Sequence, residues 1–479
     1  MEEILEAQKE ESQAQPLPAK APKGLKEAKI GNIALFIALL SVCLIPFVYF
    51  FIGIIGKHTI PNSNIYLSVF LTLFSLFCVP LLFYEKTLFG DLNLKKKNIL
   101  ALMPIILLLA FLVWGIISTI FAPDKQLALF DYPARAEGLF MYFGYGIIFM
   151  GAMLLKKENF KRLIIYSFLI IMAFFCVFWV IDYLFFSRAY SFMGFNFTFP
   201  WANSNHAGYM LTISSLLAGS LFVFEEKKKS IKILALIGFG LFVLCGYFNN
   251  TLGCQIATFV ALIMLTIIAL TKNLFNYEKL IVLWVVFAGV TLLDAFLIKA
   301  LSLSRLNFFE GFKNVIKEFL LIAKDADSAS SATAGTNRWA LWKECFRNIA
   351  SSPLVGIGIN CQKIANPHIS ASRPHNEPLQ FASTMGLPAG LFYLSSLVIM
   401  LVLVFKQIKK LNTPSLVCIM GAIGYFVSSL FGVSIPYTFS IYILFLGLGF
   451  GGINLNKEEP APSKIKAPKI KNKFIRPSV

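Results

Sequence analysis

The sequence predicts an all-α, polytopic integral membrane protein, and three observations carry that expectation. Of 479 residues, 57% are hydrophobic and only 14% are charged, with a mean hydropathy of +0.72; an ordinary globular domain is about 25% charged. Apolar stretches of about 20 residues, the length that crosses the hydrocarbon core as a helix, recur along the chain. Lys and Arg fall in short runs between those stretches. A water-soluble fold of this length cannot hide so much apolar surface. That excludes a soluble enzyme, a secreted disulfide scaffold and a disordered chain. Nucleic-acid binding is excluded too, because the net charge of +18 is not gathered with base-stacking aromatics on one folded face.

About 12 transmembrane helices are expected, at 31–56, 64–84, 99–121, 138–155, 163–186, 205–224, 231–248, 252–271, 279–300, 386–405, 414–433 and 437–453. The first 30 residues are polar and Lys-rich, without the short apolar core of a cleaved signal peptide. The division that follows is a Lys-rich tail (1–30), nine spans (31–300), a long loop (301–385), three spans (386–453) and a basic tail (454–479). Orientation comes from local Lys/Arg bias. The loops 85–98, 156–162 and 225–232 hold four cations each, and the C-terminal tail holds seven. The short loops of the other face hold only Lys57, Lys125, Arg135 and Arg188. Both tails are therefore expected in the cytosol, and the long loop outside.

The 301–385 loop is the one water-facing segment large enough to build a site. Phe308, Phe312, Val315, Phe319 and Ile322 repeat at helical spacing with Lys and Glu opposite, which predicts a helix lying on the outer membrane surface. A Ser/Ala-rich stretch, Asp325–Thr336, reads as mobile. A second helix is expected over Asn337–Ala350, carrying Trp339, Trp342, Phe346 and Ile349. All four histidines (His58, His206, His368, His375) fall on the outer face, and the span centres are almost free of ionisable groups. Ion-coupled transporters place polar groups at that depth, so chemistry is expected at the outer boundary instead. Cys345 and Cys361 share the loop, as a disulfide or as two free thiols. No zinc-ligand spacing and no carboxylate cluster for Mg²⁺ stands out, so neither metal nor cofactor is expected.

The sharpest constellation is Arg373-Pro374-His375-Asn376-Glu377-Pro378-Leu379-Gln380, followed by Gly386 and Gly390. His375 stands at the start of a short helix, with Gln380 about one and a half turns further on. An imidazole with a pKa of about 6.5 can act as a general base toward a hydroxyl; a polar loop histidine beside a helix cap is the other reading. Arg338, at the start of the Asn337–Ala350 helix, can hold phosphate or anchor the helix at the interface beside Trp339 and Trp342. Pro353, Gly356 and Gly358 form a turn between the two segments.

At these residues the chain resembles the O-antigen ligase family, which includes O-antigen and polysaccharide polymerases and ligases. The resemblance covers about 200–395. It comprises Asn203-Ser204-Asn205 entering a span, Arg338-x-x-x-Trp342, the Pro-x-x-Gly-x-Gly turn, and His375-Asn376 with the later Gly386. Arg135-Ala136-Glu137-Gly138-Leu139 is a further feature of some members. The resemblance implies a GT-C-like fold in the bacterial plasma membrane. It also implies a glycosyltransferase that moves an undecaprenyl-diphosphate-linked glycan onto a glycan, lipid or other hydroxyl acceptor, without a metal. His375 then matches the base and Arg338 the diphosphate ligand. Arg135, Arg188, Arg373, Asn203, Asn205, Asn376 and Gln380 are the accompanying substrate-binding candidates. The family's further arginine is missing, because the corresponding turn reads Asn249-Asn250-Thr251-Leu252-Gly253. Membrane lipids are the remaining expected partner, and nucleic acid is none. A lipid-linked oligosaccharide flippase is the alternative function, and a non-catalytic scaffold a third.

Overall fold

The computed structural model describes residues 32–47, 98–132, 135–185, 201, 203–226, 228–272, 277–300, 302, 306–362 and 373–456. The expected span 64–84, both terminal tails up to 31 and from 457, His58, Arg188 and His368 lie outside the described residues. The described chain is helical: α1 (Asn32–Phe47), α2 (Ile99–Phe121), α3 (Lys125–Phe130), α4 (Leu139–Leu154), α5 (Glu158–Phe185), α6 (Ser204–Phe224), α7 (Lys229–Phe248), α8 (Leu252–Lys272) and α9 (Tyr277–Ala300). The long loop holds α10 (Phe308–Lys324), α11 (Ala329–Ala332), α12 (Arg338–Ser351) and α13 (Glu377–Met385). After it come α14 (Leu387–Gln407), α15 (Thr413–Ser429) and α16 (Pro436–Phe450).

Seven of these helices are long and apolar enough to cross a membrane, and α1, α4, α15 and α16 are shorter apolar ones. Helices suit that setting because each satisfies its own backbone hydrogen bonds where no water can. The chain is thus an all-α polytopic membrane protein. Its centre is α6, whose apolar window is 94% buried, against 22% for the peripheral α2. Gly208, Ser214, Ser215, Ala218, Gly219 and Ser220 keep α6 slender enough for α7, α8 and α15 to close on it. The serines return their hydroxyls to carbonyls one turn back, as Ser214 Oγ does to Met210 O at 2.7 Å, so none of these serine hydroxyls is stranded. A second group pairs α2 with α14 and α4 with α16, and α15–α16 joins the two groups.

The bundle has two chemically different ends. At one, buried Lys161 donates to Leu448 O (2.7 Å) and Ser415 Oγ (3.1 Å). Arg162 there pairs with Glu225, and Lys272 caps the Ile408 and Leu411 carbonyls. At the other end the connections 122–132, 135–138, 249–251, 306–362, 373–386 and 430–435 gather, joined by contacts such as Asn360 Nδ2 to Glu137 O (3.0 Å) and Asn376 Nδ2 to Leu430 O (3.3 Å). The amphipathic α10 is present there, capped by Asn307 and Glu310 in a reciprocal pair. It buries Phe308 among Tyr247, Phe259 and Phe287 and leaves Phe309, Ile316, Phe319 and Leu320 exposed. The Asp325–Thr336 stretch is a chain of capped turns around α11: Asp325 Oδ1 accepts from the amides of Asp327 and Ser328. Cys345 and Cys361 are buried free thiols. The Cys345 sulfur accepts from Gln362, and the Cys361 thiol faces the Asp124 carbonyl.

Candidate active site

Arg338 is the first residue of α12, and the turn before it is unusual: Gly335, Thr336 and Asn337 all have φ near +60° (62°, 56° and 69°). Left-handed backbone costs a β-branched residue such as Thr about 1–3 kcal/mol, and the local contacts hold it there. Gly335 N–H donates to Glu318 Oε2 of α10 at 3.0 Å, and Trp339 Nε1 donates to Ala326 O at 2.9 Å. The Arg338 guanidinium forms no hydrogen bond or ion pair with any described residue. Burial lowers its pKa, and the nearby Tyr209 hydroxyl, Cys254 thiol and Glu318 only partly oppose this. The result is a half-buried cation without a counter-ion.

His375 lies in the loop ahead of α13 with φ at +56°. Its Nδ1 is buried without a hydrogen-bond partner among the described residues. Burial, followed by the positive charges of Arg338 and Arg373, depresses its pKa to about 4, so the ring is neutral at physiological pH. Trp342 Nε1 donates to Pro374 O at 2.9 Å. One hydrogen bond thus ties the helix bearing Arg338 to the loop bearing His375. From below, Asn376 caps α13 by accepting Leu379 N–H (3.0 Å) and donates to Leu430 O (3.3 Å). The Pro353–Gly358 turn packs on the other end of α13. Gly358 N–H donates to Thr384 O at 2.9 Å and Leu387 N–H to Pro353 O at 2.8 Å. Gly386 sits at φ +92° with no room for a Cβ against the Leu354 carbonyl, so only glycine fits the break between α13 and α14.

Arg373, two residues ahead of His375, is fully enclosed. It pairs with Glu137 (Nη1–Oε2, 2.6 Å) and Asp131 (Nη2–Oδ2, 3.1 Å), and it also donates to Asn360 Oδ1 (2.8 Å) and Ser434 O (2.9 Å). Burial alone would lower its pKa, but the two carboxylates hold it above the ordinary arginine value. Arg135 completes the group at 3.1 Å from Asp131, while Tyr145 and Ser434 donate to Glu137. Two arginines against two carboxylates leave the buried group electrically balanced. Glu377 lies beyond it: Oε1 accepts from Tyr425 at 2.7 Å and Oε2 has no partner among the described residues. Burial pushes this carboxyl well above the usual range.

The structure thus places Arg338 and His375 together, and Arg373 and Arg135 beside them in an ion-pair cluster. Gln380 is buried in α13. Asn203 is the cap of α6, accepting Asn205 N–H at 2.8 Å, and Asn205 O faces the Cys254 thiol. In the turn without an arginine, Asn249 Nδ2 donates to Ser204 O (2.8 Å) and Thr251 Oγ1 (2.9 Å). Asp131, Glu137, Asn360, Tyr209 and Glu377 went unremarked as site residues in the sequence. Only Glu137 and Glu377 had a visible signal, each adjoining a singled-out cation or histidine.

A polar cluster at one end of a helical bundle of a polytopic membrane protein, with a neutral imidazole and a guanidinium unpaired among the described residues, is the candidate site. Residues 237–394 match the family model described as O-antigen ligase, so the chain carries a domain of that family, one of glycosyltransferase-type enzymes. The match holds Arg338 and His375 but begins after Asn203–Asn205 and ends before Tyr425 and Ser434, which complete the site. The chain showed no match among curated proteins.

Proposed function

We propose that the protein transfers a glycan from an undecaprenyl-diphosphate donor to a hydroxyl acceptor at the outer face of the plasma membrane. The observation that carries this reading is the pairing, across the Trp342–Pro374 hydrogen bond, of a cation with no counter-ion among the described residues and a histidine that is uncharged at neutral pH. The family match supplies the substrate class, lipid-linked glycans being what O-antigen ligases ligate or polymerise.

Each group has one task. The acceptor oxygen attacks the anomeric carbon while its proton passes to His375. The anomeric C–O bond to phosphorus breaks with inversion, and the electron pair leaves on the diphosphate. Arg338 neutralises that charge in a low-dielectric site, where one charge-assisted contact is worth most. Arg373 and Arg135, held by Asp131 and Glu137, fix the loop that carries His375 and do not meet substrate. Arg188 remains a candidate for the donor's second cation. His375→Ala is expected to lower turnover of a purified lipid-linked donor about 10²–10⁴-fold, with normal membrane insertion. A fully active variant would remove His375 from the mechanism, and proteoliposomes that move the donor across the bilayer without forming product would favour a flippase.

A further inference from the structure

Among the described residues, Tyr209 has a buried side-chain oxygen without a partner, and it lies in the site. The side chain is fully enclosed in α6, and its hydroxyl has no hydrogen-bond partner. Leaving a buried hydroxyl unpaired costs about 1–3 kcal/mol. The ring is not loosely placed, since it packs on Tyr425 (centroids 5.0 Å apart) and His206 (6.2 Å). Gly432 has no Cβ where one would overlap the hydroxyl oxygen, so the 430–435 connection keeps room for that group. Tyr425 in turn donates to Glu377 (2.7 Å), and Leu430, two residues before Gly432, accepts from Asn376 (3.3 Å), so the hydroxyl lies against the segment that carries His375, within reach of the Arg338 charge. The position therefore combines an unsatisfied donor with an unsatisfied cation. Glu377 Oε2, also unpartnered, would repel an anion when ionised, whereas a phenol can only help to hold one.

We propose that the Tyr209 hydroxyl is a substrate-binding group that donates a hydrogen bond to the donor's diphosphate alongside Arg338, supplying without charge part of what a second cation would supply. This rests on the assignment of Arg338 to the diphosphate. A hydroxyl in that place would take the donor's diphosphate as its partner, in keeping with its having none among the described residues. Its bond shortens as negative charge gathers on the leaving oxygens, so it acts on bond breaking as well as on binding.

Tyr209→Phe removes the oxygen and keeps the ring that packs on Tyr425 and His206. In proteoliposomes of the full chain, kcat/KM for the lipid-linked donor should fall about 10- to 100-fold, with the acceptor KM unchanged. Inorganic pyrophosphate, as a competitive inhibitor, should lose affinity by a similar factor, which a purely structural role for the ring would not cause. Arg338→Gln is measured in parallel. If it is inactive while Tyr209→Phe equals the parent in both readouts, the Tyr209 proposal is wrong and the site assignment stands. If Arg338→Gln is fully active, the assignment beneath it fails as well.

Discussion

A histidine that takes a proton from an alcohol must be uncharged when the alcohol arrives, and burial secures that for His375. With a free-enzyme pKa of about 4, the acid limb of a kcat/KM–pH profile should fall near pH 4 and leave a flat region through neutrality; a limb at about 6.5, the unperturbed value, would show a solvated ring or a different base. The sign follows from the charges. Arg338 and Arg373 disfavour the imidazolium, so binding a doubly negative diphosphate should move the kcat limb upward. Arg373 makes its contribution to stability. Arg373→Met would leave Asp131 and Glu137 buried against Arg135 alone. Breaking a buried pair in this way costs about 3–5 kcal/mol, read as a lower midpoint of thermal unfolding in detergent.

Helix α13 is the element that presents His375, and it is held at both ends by turns. Gly386→Ala is expected to lower both protein yield and kcat, because the φ of +92° and the Leu354 carbonyl leave no place for a methyl group. Trp342→Phe should be gentler. It removes the bond to Pro374 O, worth about 0.5–1.5 kcal/mol, and should reduce kcat more than it reduces the unfolding midpoint, because what it loosens is the spacing between Arg338 and His375. Equal losses in both would point to a merely structural tryptophan. The elements were largely legible in the sequence: α2 and α14 as uninterrupted apolar runs, α10 as a period of 3.6, and the α13 start as His-Asn-Glu-Pro. What joins them was not legible. Arg373 finds Glu137 across 236 residues, and no local pattern encodes such a pairing. Tyr209 stands in an apolar run where its ring alone accounts for its presence. The loop stretch Asp325–Thr336 read as mobile because Ser and Ala suggest little packing, yet its hydroxyls cap one another.

At the scale of the whole molecule the two ends of the bundle differ in how they use charge. The end with Lys161, Lys272 and Lys279 directs its lysines mainly at backbone carbonyls, as Lys272 does at Leu411 O at 2.7 Å and Lys279 at Val223 O at 2.9 Å, and leaves Lys409 exposed. The end with Arg338 has exposed cations too, such as Arg347 paired with Glu344, but it also encloses Arg373 between two carboxylates and holds Arg338 beside a neutral histidine. An excess of lysines in short loops marks the cytosolic side of a membrane protein, so the proposed transferase function assigns the site end to the outer face. This assignment is open to chemical labelling because the described native cysteines are all buried. Ser330→Cys, on the exposed face of α11, should react with a membrane-impermeant maleimide on intact cells. Lys409→Cys should react only after permeabilisation, with the unsubstituted chain as the blank. The reverse pattern would put Arg338 and His375 in the cytosol and overturn an outer-leaflet transferase, whatever the activity of the purified protein.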